Sequence, residues 1–339
     1  MMPAPLRIAQ IGYGHWGTNL ARASARTTGC ALVAIADLDE TNRARAVADH
    51  PDAASIADPA HLLASPLIDA VSIATPAGTH PALVAQALAA GKHVLVTKPL
   101  AADAAVAHAL GQEASRRGLV LLVDHTFVFS PAVVAIADIV AGGSLGRIAY
   151  VESQRAGLGI FKDDVTVIED LAIHDFAILD RLLGRMPARV SATWTRTHDG
   201  LMPSAAWIAL AYDDGLAVHL AAHWFAPVKR RLMVIAGAKK MLTWDDTLPG
   251  ERVRVHDAGT DPAATVVPGR APLAYRNHGA VVVPVADDEP LALEFAHFRD
   301  AVAGRCAPRA DAGAAARVAT LCAAASASAT AGGQPVDVS

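Results

Sequence analysis

The chain has 339 residues, more than one hydrophobic core usually serves, so two domains are expected. Hydrophobic residues make up 53%, but alanine supplies much of this, and the strongest apolar runs, such as residues 119–123, are far too short to span a bilayer. A formal net charge of −4 gives no general attraction to nucleic acid or a membrane surface, and the one basic cluster, residues 229–231, reads as a solvated strand start.

The N-terminal stretch MMPAPLRIAQIG lacks the basic region, long apolar region and small-residue cleavage site of an export signal, so a cytoplasmic location is expected. Three cysteines, Cys30, Cys306 and Cys322, are widely spaced and form no CxxC pair. They read as reduced thiols, and neither a structural zinc site nor any other metal is expected.

The most informative segment is RIAQIGYGHWGTNLARA, residues 7–23. An apolar run breaks into Gly12, Gly14 and Gly17 and then into helix-forming residues, which predicts a strand, a tight turn and a helix N-terminus. Gly12 permits the bend, Gly14 lets backbone N–H groups approach a pyrophosphate, and Gly17 lets helix pack on strand. The next apolar run, residues 31–36, ends in Asp37, 25 residues after Gly12, where a carboxylate can accept hydrogen bonds from the adenosine ribose hydroxyls. The expected cofactor is NAD(H), with NADP(H) disfavoured.

Beyond Asp37 the pattern alternates: helix 40–49, short helix 59–64, strand 70–74, helix 80–90, strand 93–96, helix 103–117, strand 119–124. This rhythm predicts a parallel, doubly wound Rossmann domain over residues 1–126. From 127 to 339 the character changes. Helices at 131–141 and 171–183 precede β-rich segments at 189–197, 205–212 and 216–225, and Asp213, Asp214 and Gly215 read as a tight hairpin turn. Leu291, Phe295, Phe298 and Val302 mark an amphipathic helix, and an alanine-rich helix follows at 312–325. The fold class expected is α/β: an N-terminal dinucleotide-binding domain and a C-terminal α+β domain with a mainly antiparallel sheet.

Four further segments bear on chemistry. In TPAGTH, Thr75, Pro76 and His80 stand at a strand's C-terminal edge, where ligands bind, and His80 reads equally as a cap of the next helix. In GKHVLVTKPL, Lys98 follows a buried strand and precedes a proline that fixes the turn; beside a nicotinamide its ammonium could polarise a substrate oxygen. In VIEDLAIHDFAILDRLLG, Asp170 and His174 share one helix face at i and i+4, a spacing that lets a carboxylate orient an imidazole acting as acid and base. A helix-cap role for Asp170 and a metal pair compete with that reading, the latter lacking a third ligand at convincing spacing. His125, in VDHTFVFSP, closes the last strand of the first domain and reads as a substrate contact or as packing.

Taken together these residues resemble the Gfo/Idh/MocA family of nicotinamide-dependent sugar and cyclitol oxidoreductases, over essentially the whole chain. The glycine fingerprint, the acidic residue ending the second strand, the TPxxxH segment, the lysine-proline turn and the DxxxHD helix follow in the family's order. GYGHWGTN, HTFVFSP and AGLGIFKDDVTVIEDLAIHD look most like the branch acting on sugars and sugar nucleotides. The resemblance implies a catalytic lysine at Lys98, with carboxylate and acid/base histidine at Asp170 and His174. His15, Trp16, Thr97 and Lys98 join the glycines, Asp37, Thr75, Pro76 and His80 as expected cofactor contacts, and His125, Arg155, Lys162 and Asp170 are the expected substrate contacts. One departure is that the family usually has Glu where Thr97 stands; the Thr97 hydroxyl is expected to fill the space beside Lys98. The implied sheet is open, and its outer face commonly makes dimers or tetramers, so a homodimer or homotetramer is expected. The implied substrate is a sugar, sugar nucleotide or cyclitol oxidised or reduced at a secondary carbinol carbon. Alternatives are a glycoside hydrolase that uses bound NAD transiently and an NAD(H)-binding regulator without catalysis.

Overall fold

The computed structural model describes residues 4–159, 161–163, 165–198, 201–261 and 274–338. Ile160 and Asp164, inside the stretch compared with the family, and the first three residues lie outside that set. The first part of the chain runs β1 (Leu6–Ile11), α1 (His15–Arg26), β2 (Cys30–Ala36), α2 (Glu40–Asp49), β3 (Ala54–Ile56), α3 (Pro59–Ala64), β4 (Ala70–Ile73), α4 (His80–Ala89), β5 (His93–Thr97), α5 (Ala104–Arg116) and β6 (Leu121–Asp124). The strands pair in parallel in the order β3-β2-β1-β4-β5-β6. That order reverses between β1 and β4, which opens a ligand crevice at the C-terminal strand ends. The central strands are largely apolar and buried: all four residues of β4, Ser72 included, are buried. Aspartates stop the chain from fraying where helices start. Asp39, Asp58 and Asp103 each accept backbone N–H bonds at the starts of α2, α3 and α5.

The chain continues through α6 (Pro131–Ala141), β7 (Ile148–Ala156), a π turn (Ile168–Ala172), α7 (Ile173–Leu183), β8 (Arg189–Thr195), β9 (Ala205–Ala211), β10 (Ala217–His223), β11 (Arg230–Gly237), β12 (Met241–Asp245), β13 (Val253–Asp261) and β14 (Ala274–Val283). It closes with α8 (Pro290–Val302), α9 (Ala312–Thr330) and β15 (Val336–Asp337). Among the described residues these strands make one nine-stranded sheet, β14-β13-β12-β11-β7-β10-β9-β8-β15. Every pairing is antiparallel except β7 with β10. The hairpin at Asp213 to Gly215 forms as expected, with Gly215 at φ +84°. Alternation of buried and exposed residues along β8, β9 and β10 leaves one sheet face covered and the other outward.

The chain divides into two units, Met1–Ser130 with Asp288–Ala319, and Pro131–Asp287 with Thr320–Ser339. The first differs from a simple division at residue 126 because α8 returns to it. Leu291, Phe295 and Phe298 are buried there, and Asp311 bridges to Leu122 of β6. Among the described residues no helix is long and apolar enough to cross a membrane.

Candidate active site

The turn after β1 is built as its glycines require. Gly12 adopts φ +87°, and a Cβ there would lie 2.5 Å from the Ala74 carbonyl oxygen, while one on Gly17 would collide with the Gly12 carbonyl. Gly14 differs: apart from its own chain neighbours, no described atom lies within 4 Å of where its Cβ would stand. It is also the N-cap of α1 and supplies no side-chain acceptor. Open space thus meets a helix N-terminus whose leading N–H groups have no side-chain cap, an arrangement suited to a phosphate. His15 and Trp16, the next two residues, are both exposed.

At the end of β2 the Asp37 carboxylate accepts the Tyr13 N–H at 2.6 Å, the Asp39 N–H at 2.8 Å and Asn42 Nδ2 at 3.2 Å. These donors fix it beside the glycine turn. Arg43 and Arg45 stand close by, but Arg43 donates to the carbonyls of Asp37 and Leu38, and Arg45 to the Tyr13 carbonyl. The residues present therefore fit a dinucleotide: turn and helix end for the pyrophosphate, carboxylate for a ribose.

Thr75 and Thr79 join hydroxyls at 2.7 Å on the exposed loop after β4, and Pro76 is exposed beside them. His80 departs from the expected cap role. It is the first residue of α4 and not its cap, and it is buried, with Nδ1 2.7 Å from the Pro99 carbonyl and Nε2 2.9 Å from the Thr75 carbonyl. The imidazole therefore staples the loop after β4 to the turn after β5, and its polar atoms face backbone. The Thr97 hydroxyl lies 3.3 Å from the same Nε2, so it faces His80. Lys98 follows, half-buried, at the cis Lys98–Pro99 bond. His125, 3% exposed, finds no partner for either ring nitrogen among the described residues. Burial first, then the Lys98 charge, pushes its imidazole down to about 4, so it is neutral at pH 7.

In the second unit, the helix carrying Asp170 and His174 begins differently from the expected cap. Thr166 and Glu169 cap reciprocally: the Glu169 carboxylate accepts the Thr166 N–H at 2.8 Å and its hydroxyl at 3.0 Å. Asp170 consequently lies inside the π turn that leads into α7, a rare geometry often found at functional sites. Freed from capping, its carboxylate accepts Lys162 Nζ at 2.6 Å and Trp224 Nε1 at 3.0 Å. Lys162 is exposed at its own end, while Trp224 packs edge-on against Phe161. Trp224 escaped the sequence reading; an aromatic just past a strand carries little local signal. Arg155 is corrected. It is buried in an ion pair with Asp175, Nε to Oδ2 at 3.0 Å, and Ser153 donates to the same carboxylate, so it holds β7 to the first turn of α7, next to His174. Among the described residues no group of three or more His, Cys, Asp or Glu side chains is set to hold a metal ion.

The family models described as "Oxidoreductase family, NAD-binding Rossmann fold" and "GFO/IDH/MocA C-terminal domain" match residues 6–125 and 133–243. UDP-N-acetylglucosamine 3-dehydrogenase of Acidithiobacillus ferrooxidans is 31% identical over 304 residues, 88% of this chain and 89% of that protein. Its solved structure superposes with a TM-score of 0.81 at 26% identity, covering 97% of this chain and 99% of that one. The uncharacterized oxidoreductase YdgJ of Escherichia coli is 37% identical over 149 residues, 44% of this chain and 42% of that protein.

Proposed function

Since the chain belongs to the GFO/IDH/MocA family of NAD-binding oxidoreductases, we propose that it moves hydride between NAD(H) and a secondary carbinol carbon of a sugar, sugar nucleotide or cyclitol. The observation that carries this reading is the open cradle at Gly14 beneath the start of α1, with the Asp37 carboxylate held at the end of β2. When bound, the nicotinamide supplies the hydride acceptor or donor. Asp37 favours NAD(H), because a 2′-phosphate would bring negative charge against a carboxylate that three donors already hold in place.

Proton chemistry falls to Lys98, Asp170 and His174. His174 takes the hydroxyl proton during oxidation and returns it in reduction; the Lys98 ammonium stabilises negative charge that develops on the substrate oxygen. Asp170, anchored by Lys162 and Trp224, provides a fixed negative charge on the element that bears His174. His125, neutral and with unclaimed ring nitrogens, is suited to a substrate hydroxyl. We assign the enzyme to the cytoplasm, a reading supported by the unbridged cysteines Cys30 and Cys306.

The test is a panel of sugars, sugar nucleotides and cyclitols incubated with NAD+ and followed by NADH absorbance. Stoichiometric NADH formation with one class supports the reading. Glycoside cleavage without net consumption of added cofactor would instead indicate a hydrolase, and cofactor binding with no turnover across the panel a regulator.

A further inference from the structure

Glu294, on α8, is 0% exposed, and neither carboxyl oxygen receives a donor among the described residues. A buried carboxylate without donors would be costly, so its surroundings must account for it. The group it meets is Asp124, the last residue of β6, itself 2% exposed. Asp124 is well supplied: Oδ2 accepts the Trp16 indole N–H at 2.6 Å, and Oδ1 accepts the Thr126 hydroxyl. Two buried carboxyl groups that interact directly do not both carry charge. The one with two donors keeps the charge, and the one with none keeps the proton. Burial, and after it Asp124, holds the Glu294 carboxyl well above the ordinary carboxylate range.

Trp16 gives the pair a consequence. It lies in the first turn of α1, yet its indole tip rests on the end of β6. Strands β4 and β5 stand between β1 and β6, a span of roughly 14 Å at usual strand spacing. The Trp16 and Asp124 side chains, joined by their hydrogen bond, together bridge the ends of β4 and β5. Asp37 at the end of β2 takes the adenosine side, so these ends receive the other half of the dinucleotide. We propose that Glu294 and Asp124 share one proton and that this acid–carboxylate pair is a positioning device for Trp16, setting its indole as a wall of the nicotinamide half of the crevice. This rests on the NAD(H) reading above. Glu294 and Asp124 are positioning residues, and α8 is thereby tied to the glycine turn through hydrogen bonds.

The experiment has two independent readouts. Infrared spectroscopy of the protein without cofactor at pH 7 should show a protonated-carboxyl C=O band that Glu294→Gln removes. NADH titration by fluorescence should then rank the variants. Glu294→Gln, whose amide still donates to Asp124, stays within about twofold of the parent. Glu294→Leu and Trp16→Phe each weaken NADH about tenfold, the effect of one lost charge-assisted hydrogen bond, with the double variant little worse than either single. Should Glu294→Leu fail to fold, Trp16→Phe, at a position 40% exposed, carries the comparison. Persistence of the band in Glu294→Gln, or parent-like NADH affinity in Trp16→Phe, overturns the proposal. A parent protein that shows the band yet binds no NADH would overturn both the device's role and the cofactor reading. A missing band with normal NADH affinity would overturn only the shared proton.

Discussion

Lys98 and His174 are the two side chains whose loss should be felt most in turnover. Lys98→Ala and His174→Ala are each expected to lower kcat by roughly two to four orders of magnitude, the range for a lost acid/base group, while NADH affinity stays within a few fold. Steady-state kinetics on the substrate found by the panel, with chemistry shown to limit the rate, checks this; near-normal turnover in either variant removes that residue's role. Asp37→Ser is expected to shift the NADH/NADPH affinity ratio toward NADPH by about tenfold, or ~1.4 kcal/mol of relieved repulsion, as read by fluorescence titration. Comparable binding of both cofactors by the parent would dispose of the preference. His125 makes a prediction about pH. Its folded value near 4 lies below the ordinary histidine value of 6.5, so the unfolded chain binds the extra proton between them. Stability from the neutral ring is fully present above pH 6.5 and is lost as pH falls toward 4, by about 3 kcal/mol at most. Urea unfolding at pH 7 and pH 5 should show this loss in the parent and a smaller one in His125→Phe.

At the scale of elements, the start of α7 shows how a local rule and a distant pairing combine. Thr166 and Glu169 obey the capping-box spacing, and that cap leaves Asp170 to Lys162 and Trp224. The first turn of α7 is then held from outside by the buried Arg155–Asp175 pair. Removing one partner leaves the other charge buried, so Arg155→Met should cost about 3–5 kcal/mol, whereas Arg155→Met with Asp175→Leu should recover much of it. Denaturant midpoints of the two variants decide the matter; an equal or larger loss in the double variant would show that packing alone sets the cost. The same logic accounts for His80. TPAGTH is readable as a loop at a strand end, but the ring's partners, the Thr75 and Pro99 carbonyls, come from two different loops.

At the scale of the second unit, the nine-stranded sheet has one face covered and the other outward, with Tyr150 and Trp207 exposed on it beside Ala209, Ala217 and Ala221 and the polar Glu152, Gln154 and His219. Such aromatics on an outward sheet face suit a second copy of the chain. Self-association through this face is our reading of the expected dimer or tetramer. Trp207→Glu should shift the sedimentation coefficient toward the monomer, and an unchanged value in a folded variant would place the interface elsewhere.

What was legible in the sequence was whatever a few neighbouring residues decide. The glycine turn follows from backbone sterics, Asp103 and its helix from a hydrogen bond two residues long, the hairpin at Gly215 from a positive φ, and the parallel rhythm from alternating apolar runs. Only tertiary structure could decide which distant groups meet. β7 takes its place between β10 and β11, α8 returns to the first unit, Trp16 reaches Asp124 across 108 residues, and Arg155 finds Asp175. Each of these is selected by burial of a polar or apolar surface that the local chain does not see, so no spacing rule announces it.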